Sequence, residues 1–315
     1  MKKLLFLGLG SILCLGASAQ FYISGQGGYG VGASKEILGL EIVDFDEDTD
    51  TLTTQRNIYG TYGGGTSFSL NAGYLKKNIG FDLGISYLMG AKQTKEETIE
   101  TTTDGEFSDK STAYTRQLRV EPSFIIKSPL GKGDKLNLMT KVGLVIPVSG
   151  ATYGERISDA PGTINGIKLF LPEAARFEAE SEINGQFTIG YKMAISGNYQ
   201  LKDNLVLFGE VNYTSLRIRR KTYEITRGEV FDENGQVIGD LDDETVRFLL
   251  GFRNSYIYTE YTEDVVPDDV NDEKKKYGND YGTKDHPHHE LPTDANFSAL
   301  NFNIGVRYLF GGKAE

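Results

Sequence analysis

The stretch "LNFNIGVRYLF", Leu300–Phe310, alternates almost to its end. Leu300, Phe302, Ile304, Val306, Tyr308 and Phe310 are apolar, with Asn301, Asn303, Gly305 and Arg307 between them. A period of two marks a β-strand with one apolar and one polar face. In a soluble sheet the apolar face turns to a core. In a membrane barrel it turns to lipid and the polar face to the lumen. The stretch alone fits both, so the rest of the chain has to choose.

The other end begins "MKKLLFLGLGSILCLGASAQ". Two lysines, an apolar run from Leu4 to Gly16 and then Ala17-Ser18-Ala19 have the layout of a cleavable secretory signal, residues 1–19, with cutting expected after Ala19. The apolar run is shorter than the roughly 20 residues a spanning helix needs. Cys14, the only cysteine, lies inside it behind Leu13, so lipidation is not expected and the mature chain carries no disulfide. Loss of Lys2 and Lys3 lowers the formal net charge from -11 by two, to -13. So acidic a chain is a poor match for nucleic acid, which needs clustered Lys and Arg.

Residues 20–315 read as one domain of eight alternating segments. "FYISGQGGYGVG" sets Phe21, Ile23, Tyr29 and Val31 against Tyr22, Ser24 and Gln26. "TSFSLNAGYL" sets Phe68, Leu70, Ala72 and Tyr74 against Ser67, Ser69 and Asn71. "IGFDLGISYLM" opposes Phe81, Leu83, Ile85, Tyr87 and Met89 to Asp82, Gly84 and Ser86. "YTRQLRVEPSFIIK" opposes Leu118, Val120, Phe124 and Ile126 to Gln117, Arg119, Glu121 and Ser123. "KLNLMTKVGLVIPV" carries Asn137 and Lys141 on its polar face. "GQFTIGYKMAISGNY" places Phe187, Ile189, Tyr191, Met193 and Ile195 opposite Thr188, Lys192 and Ser196. "LVLFGEVNYTSL" carries Glu210 and Asn212, and Leu300–Phe310 is the eighth.

Connections near residues 77, 131 and 202 are short, whereas those at about 34–65, 91–112, 150–183 and 220–297 are long and polar. An even strand count with all long loops at one end is the layout of an outer-membrane barrel, with short periplasmic turns and long external loops. A sandwich has no reason for it. The aromatics agree. Phe21, Tyr74, Phe81, Phe124, Tyr199, Tyr308 and Phe310 fall near the periplasmic rim. Tyr29, Phe68, Tyr87, Tyr114, Phe187, Tyr213 and Phe302 fall near the external one, as expected of interfacial belts.

The signal, the alternating strands and the final "FNIGVRYLF" resemble the small outer-membrane β-barrel family of Gram-negative bacteria, which includes the OmpA transmembrane domain, OmpX and the opacity proteins. The expected fold class is all-β, an eight-stranded antiparallel up-and-down transmembrane barrel with long extracellular loops. The resemblance implies residence in the outer membrane and a last strand read by the barrel-insertion machinery. It also implies lipid and lipopolysaccharide as neighbours. One departure is the tail "GGKAE" after Phe310, since the family usually ends on the aromatic.

The lumen is expected to hold Asp82, Glu121 and Glu210 with Arg119, Lys141, Lys192 and Arg307. Folding the fourth and fifth strands about Gly131 sets Glu121 beside Lys141. Folding the sixth and seventh about Leu201 sets Lys192 beside Glu210. An eight-stranded interior is just wide enough for side chains to fill, so these charges read as a plug. No catalytic, cofactor-binding or metal residues are assigned. His286, His288 and His289 all lie in "DHPHHE", Asp285 to Glu290, in the last long loop, and no strand carries a base for a Ser-His pair. "DFDEDTD" (Asp44, Asp46, Glu47, Asp48 and Asp50) lacks the glycine and the terminal glutamate of a calcium loop. "DENGQ" reads as a hairpin turn at Asn234-Gly235 between "GEVF" and "VIGD". "VRFLLGFRNSYIY" is placed in the last loop as a packed hairpin or short helix. The functional expectation is a non-enzymatic, porin-like barrel that anchors large acidic loops for adhesion, surface interaction or envelope integrity, with an extracellular ligand that no motif identifies. A narrow channel for small solutes is the alternative, and an outer-membrane hydrolase the second.

Overall fold

The structure is a computed structural model that describes residues 19–34, 36–43, 45–46, 51–52, 55–102, 105–130, 135–159, 174–240, 255–258, 288–290 and 293–310. Eight of its strands form the barrel wall. They are β1 (Ala19–Gly32), β2 (Gly65–Lys76), β3 (Ile79–Gly90), β4 (Gly105–Pro129), β5 (Leu136–Asp159), β6 (Gly190–Lys202), β7 (Leu205–Ser215) and β8 (Ala299–Phe310). Each pairs antiparallel with the next, and β8 closes on β1 from Phe21↔Phe310 to Gly32↔Ala299. Closure leaves no open edge among these strands.

The alternation that makes the strands also sorts their faces. Leu70 is 68 %, Ile304 66 % and Phe81 65 % exposed, whereas Glu210 is 2 % and Lys141 3 % exposed. The protein is inside-out. Soluble monomers rarely expose contiguous apolar surface of more than a few hundred Å². A closed barrel with an apolar outer band is the β-structure that a bilayer accepts, because wall amides are paired within the wall. Phe302 and Ile304 therefore face lipid, while Asn303 and Arg307 face the lumen.

Turns at one end are tight. Lys77 takes φ 57° in the two-residue β2–β3 turn, and the β6–β7 turn is Asp203-Asn204. Leu130 N donates to Leu136 O (3.0 Å) across the β4–β5 turn. The start of β1 and the end of β8 lie at this same turn end. Ring pairs gather here: Phe21–Tyr74 (5.1 Å between centroids), Phe81–Phe124 (5.4 Å) and Tyr308–Phe310 (5.0 Å).

At the loop end the long connections carry strands of their own. Much of 91–112 and 150–183 is strand, as are several pieces of 220–297. β4 and β5 remain paired out to Asp159↔Ser108. Gln93–Thr102 adds to β4, Ala174–Gly185 adds to β5, and Arg217–Asp232 adds to Ala174–Gly185. Glu36–Val43 joins the strand Gln93–Thr102 only at its tip, running parallel from Glu41↔Glu97 to Val43↔Ile99, and Gln55–Gly60 pairs with Glu36–Val43. Lys95 sits at the register shift between Thr94 and Glu96.

Polar composition hid these strands, because in water both faces of a sheet can carry charge and be held by cross-strand ion pairs. Arg156 grips Asp109 with two hydrogen bonds (3.0 and 2.7 Å), Lys110 meets Glu97 (2.8 Å), and Arg227 meets Glu180 (3.0 Å).

The hairpin at Asn234-Gly235 is present, with Glu229↔Asp240 and Val230↔Gly239 paired and Gly235 at φ 77°. Asp232 accepts from the backbone N–H groups of Asn234 and Gln236, and these bonds, that of Gln236 foremost, hold its carboxyl below the usual range. Of "VRFLLGFRNSYIY", residues 246–254 lie outside the described residues and Ser255–Tyr258 is a short strand on Thr222–Glu224. Residues 1–18 of the expected signal (1–19), most of "DFDEDTD" and His286 also lie outside them.

Candidate functional site

The barrel interior is built in three levels. At the turn end an apolar floor packs Tyr22, Leu75, Ile125 and Met139. Glycines admit the large groups: a Cβ on Gly73 would lie 2.2 Å from the Tyr22 ring, and one on Gly305 2.6 Å from Phe208. Arg307 lies across this floor with its guanidinium 4.8 Å from the centroids of both Tyr22 and Phe208. Its Nη1 donates to Asn198 Oδ1 (2.9 Å). A desolvated cation between two ring faces is a favourable cation–π arrangement.

The middle level holds the charges. Lys141 Nζ lies 3.0 Å from Asp82 and 3.2 Å from Glu210. Lys192 Nζ lies 2.8 Å from Glu121 and 3.8 Å from Glu210. Ser86 donates to Glu121 as well, and Gln26 (3.3 Å) and Asn212 (3.2 Å) donate to Glu210. Arg119 Nε donates to the side-chain oxygen of Gln117. Beside this network lies a void of about 20 Å³, room for one water.

At the loop end an apolar lid of Tyr62, Val145, Leu216, Ile218, Ala295 and Phe297 covers the lumen. Asp294–Asn296 pairs with Arg217–Arg219 to carry it. Among the described residues the interior thus has an apolar floor, a paired charge network and an apolar cluster at the loop end.

All seven charged residues expected in the lumen are buried there. Their expected partners need correction. Lys141 pairs across the β4–β5 ladder with Ile125, four residues from Glu121, and its ionic partners are Asp82 and Glu210. Lys192 pairs with Thr214, four residues from Glu210, and reaches Glu210 only diagonally, its nearer carboxylate being Glu121. Both turns are centred two residues later than expected. The apolar floor and lid escaped sequence reading because their members are dispersed along the chain. The role of Arg307 between two rings had no local signal either.

Among the described residues no group of three His, Cys, Asp or Glu is placed to hold a metal. His288 and His289 lie in the short strand His288–Glu290, parallel to Ser255–Tyr258.

No family model and no curated protein matches the chain. Among solved structures, Neisserial surface protein A is similar to it over 93 % of this chain and 100 % of that one, at 10 % identity and a TM-score of 0.38. A major outer membrane protein from Thermus thermophilus is similar over 93 % of this chain and 100 % of that one, at 12 % identity and a TM-score of 0.36.

Proposed function

We propose that the protein is an outer-membrane barrel that conducts nothing and serves as an anchor, displaying its loop-end sheet outside the cell for adhesion, surface interaction or envelope integrity. The observation that supports this reading is the buried charge network across the middle of the lumen, in which Lys141 and Lys192 are held by Asp82, Glu121 and Glu210 beside a void of only about 20 Å³. The mass of ordered chain beyond the barrel fits the same reading, since β4 and β5 run well past the wall as a paired ribbon. In this reading residues 1–19 are removed on export, the insertion machinery reads β8, and lipopolysaccharide surrounds the outer rim.

Conductance in planar bilayers tests the closed lumen, with a silent membrane expected. Steady, ion-selective steps would instead establish the channel. Protease shaving of intact cells tests orientation. Cuts confined to the long connections are expected, and cuts in the three tight turns would reverse the topology.

A further inference from the structure

The wall has a window. β5 pairs with β6 only as far as Val145↔Gly190, and its pairing on that side resumes at Ala151↔Asn184 with Ala174–Gly185. Residues 146–150 and 186–189 form no ladder with each other across the interval. The alternating pattern of the sixth segment reaches back to Phe187 and Ile189, but the strand itself starts at Gly190. The cause lies in β5. Pro147 has no N–H to donate, the register shifts between Pro147 and Ser149, and Gly150 takes φ 135°. Five residues at about 3.3 Å each make an interval of roughly 16 Å along the strand.

Behind the window lies a cavity of about 230 Å³. By the same measure it is more than tenfold larger than the void beside the charge network, ample for a short-chain organic molecule. Thr115, Gln117 and Ile218 line its depth, and Val148 and Phe187 its mouth. Phe187 is 76 % exposed, and Leu144 and Tyr191, which pair at the neighbouring end of the β5–β6 ladder, are outward too. Among the described lining residues Arg220 bears the only full charge, and its Nε is buried without a hydrogen-bond partner. Burial, and next the positive charge of Arg220, push the nearby Lys95 amine below its ordinary value, with Glu96 acting the other way. A guanidinium with a buried, unpartnered Nε, in a cavity with no carboxylate in its described lining, favours an anion.

We propose that the window is a lateral entrance through which a medium-chain alkyl carboxylate passes from the outer leaflet, its carboxylate meeting Arg220 and its chain lying between Phe187 and Val148. A guanidinium suits a carboxylate because its planar fork donates two parallel hydrogen bonds. The volume takes a carboxylate and a short run of methylenes, leaving the chain end among the apolar lips. The proposal rests on the barrel lying in a bilayer but not on its lumen being closed.

The chain has no tryptophan, so Phe187→Trp places the sole tryptophan at the mouth, excited selectively above the tyrosine absorption. In lipid nanodiscs, brominated phospholipid should quench it. Absence of that quenching would mean the mouth does not face lipid, and would overturn the entrance. Brominated octanoate should quench saturably. Adding Arg220→Gln should weaken octanoate about tenfold, the loss of one charge-assisted contact, with Arg220→Lys recovering part. Octanol, measured by equilibrium dialysis, should be unaffected by either change. Equal loss of octanol and octanoate, or no loss of octanoate, would overturn the role of Arg220. Competition by acetate as effective as by octanoate would mark a site for aqueous anions and overturn entry from the membrane. Heat-dependent gel mobility checks that each variant has folded.

Discussion

Replacing Lys141 by methionine keeps most of its volume and strands two carboxylates, Asp82 and Glu210, that now share its charge. At 3.0 Å and an effective dielectric of about 20, the gross attraction of Lys141 to Asp82 is about 5–6 kcal/mol. Desolvation of both buried ions takes back most of it. Removing the cation alone should therefore cost about 3–5 kcal/mol, chiefly through the carboxylates left behind. Asp82→Asn should cost less, because Lys141 keeps Glu210. In the double variant the loss should fall short of the sum, by a coupling of about 1–3 kcal/mol. Urea unfolding in lipid vesicles, followed by far-ultraviolet dichroism and by gel mobility, supplies the four corners of the cycle. Glu121 with Lys141 is the control pair, since Glu121 is engaged by Lys192. A coupling for Lys141 with Asp82 below the usual additivity error of about 0.5 kcal/mol would refute the reasoning. It would mean that water screens the lumen.

Gly73→Leu should destabilise the barrel by about 1–3 kcal/mol through overpacking against Tyr22, and Tyr22→Ala in the same chain should recover part of that in the same urea assay. Arg307→Leu should lower stability by about 1–3 kcal/mol, with loss of the Asn198 hydrogen bond and both ring contacts, whereas Arg307→Lys should lose less. Gly235→Val forces a β-branched residue to positive φ, so hydrogen exchange should accelerate in the hairpin around residues 229–240 while barrel mobility on gels stays unchanged. Intact mass of the exported protein should correspond to a chain beginning at Gln20.

Strand count, the face each strand turns outward and the grouping of tight turns at one end were all legible in the sequence. The reason is that a period of two survives any local detail: Phe302 and Arg307 differ by an odd number of positions and must part company across the wall. The identity of the lumen charges followed from the same rule. Their pairing did not. Sliding a strand by an even number of residues leaves every side chain on its face, so the alternation cannot detect it, and only a slip by one would have been penalised. Lys141 therefore met Asp82 and Glu210 instead of Glu121, a choice made by barrel closure, which fixes all eight registers together. Composition likewise concealed the loop-end strands, whose charged residues are satisfied by partners far away in sequence, as Arg227 is by Glu180. The window between β5 and β6 is the clearest case. Pro147 was visible, but that its neighbours would lose their ladder partners, leaving Phe187 at the mouth of a cavity with Arg220 inside, depended on where four distant segments came to rest.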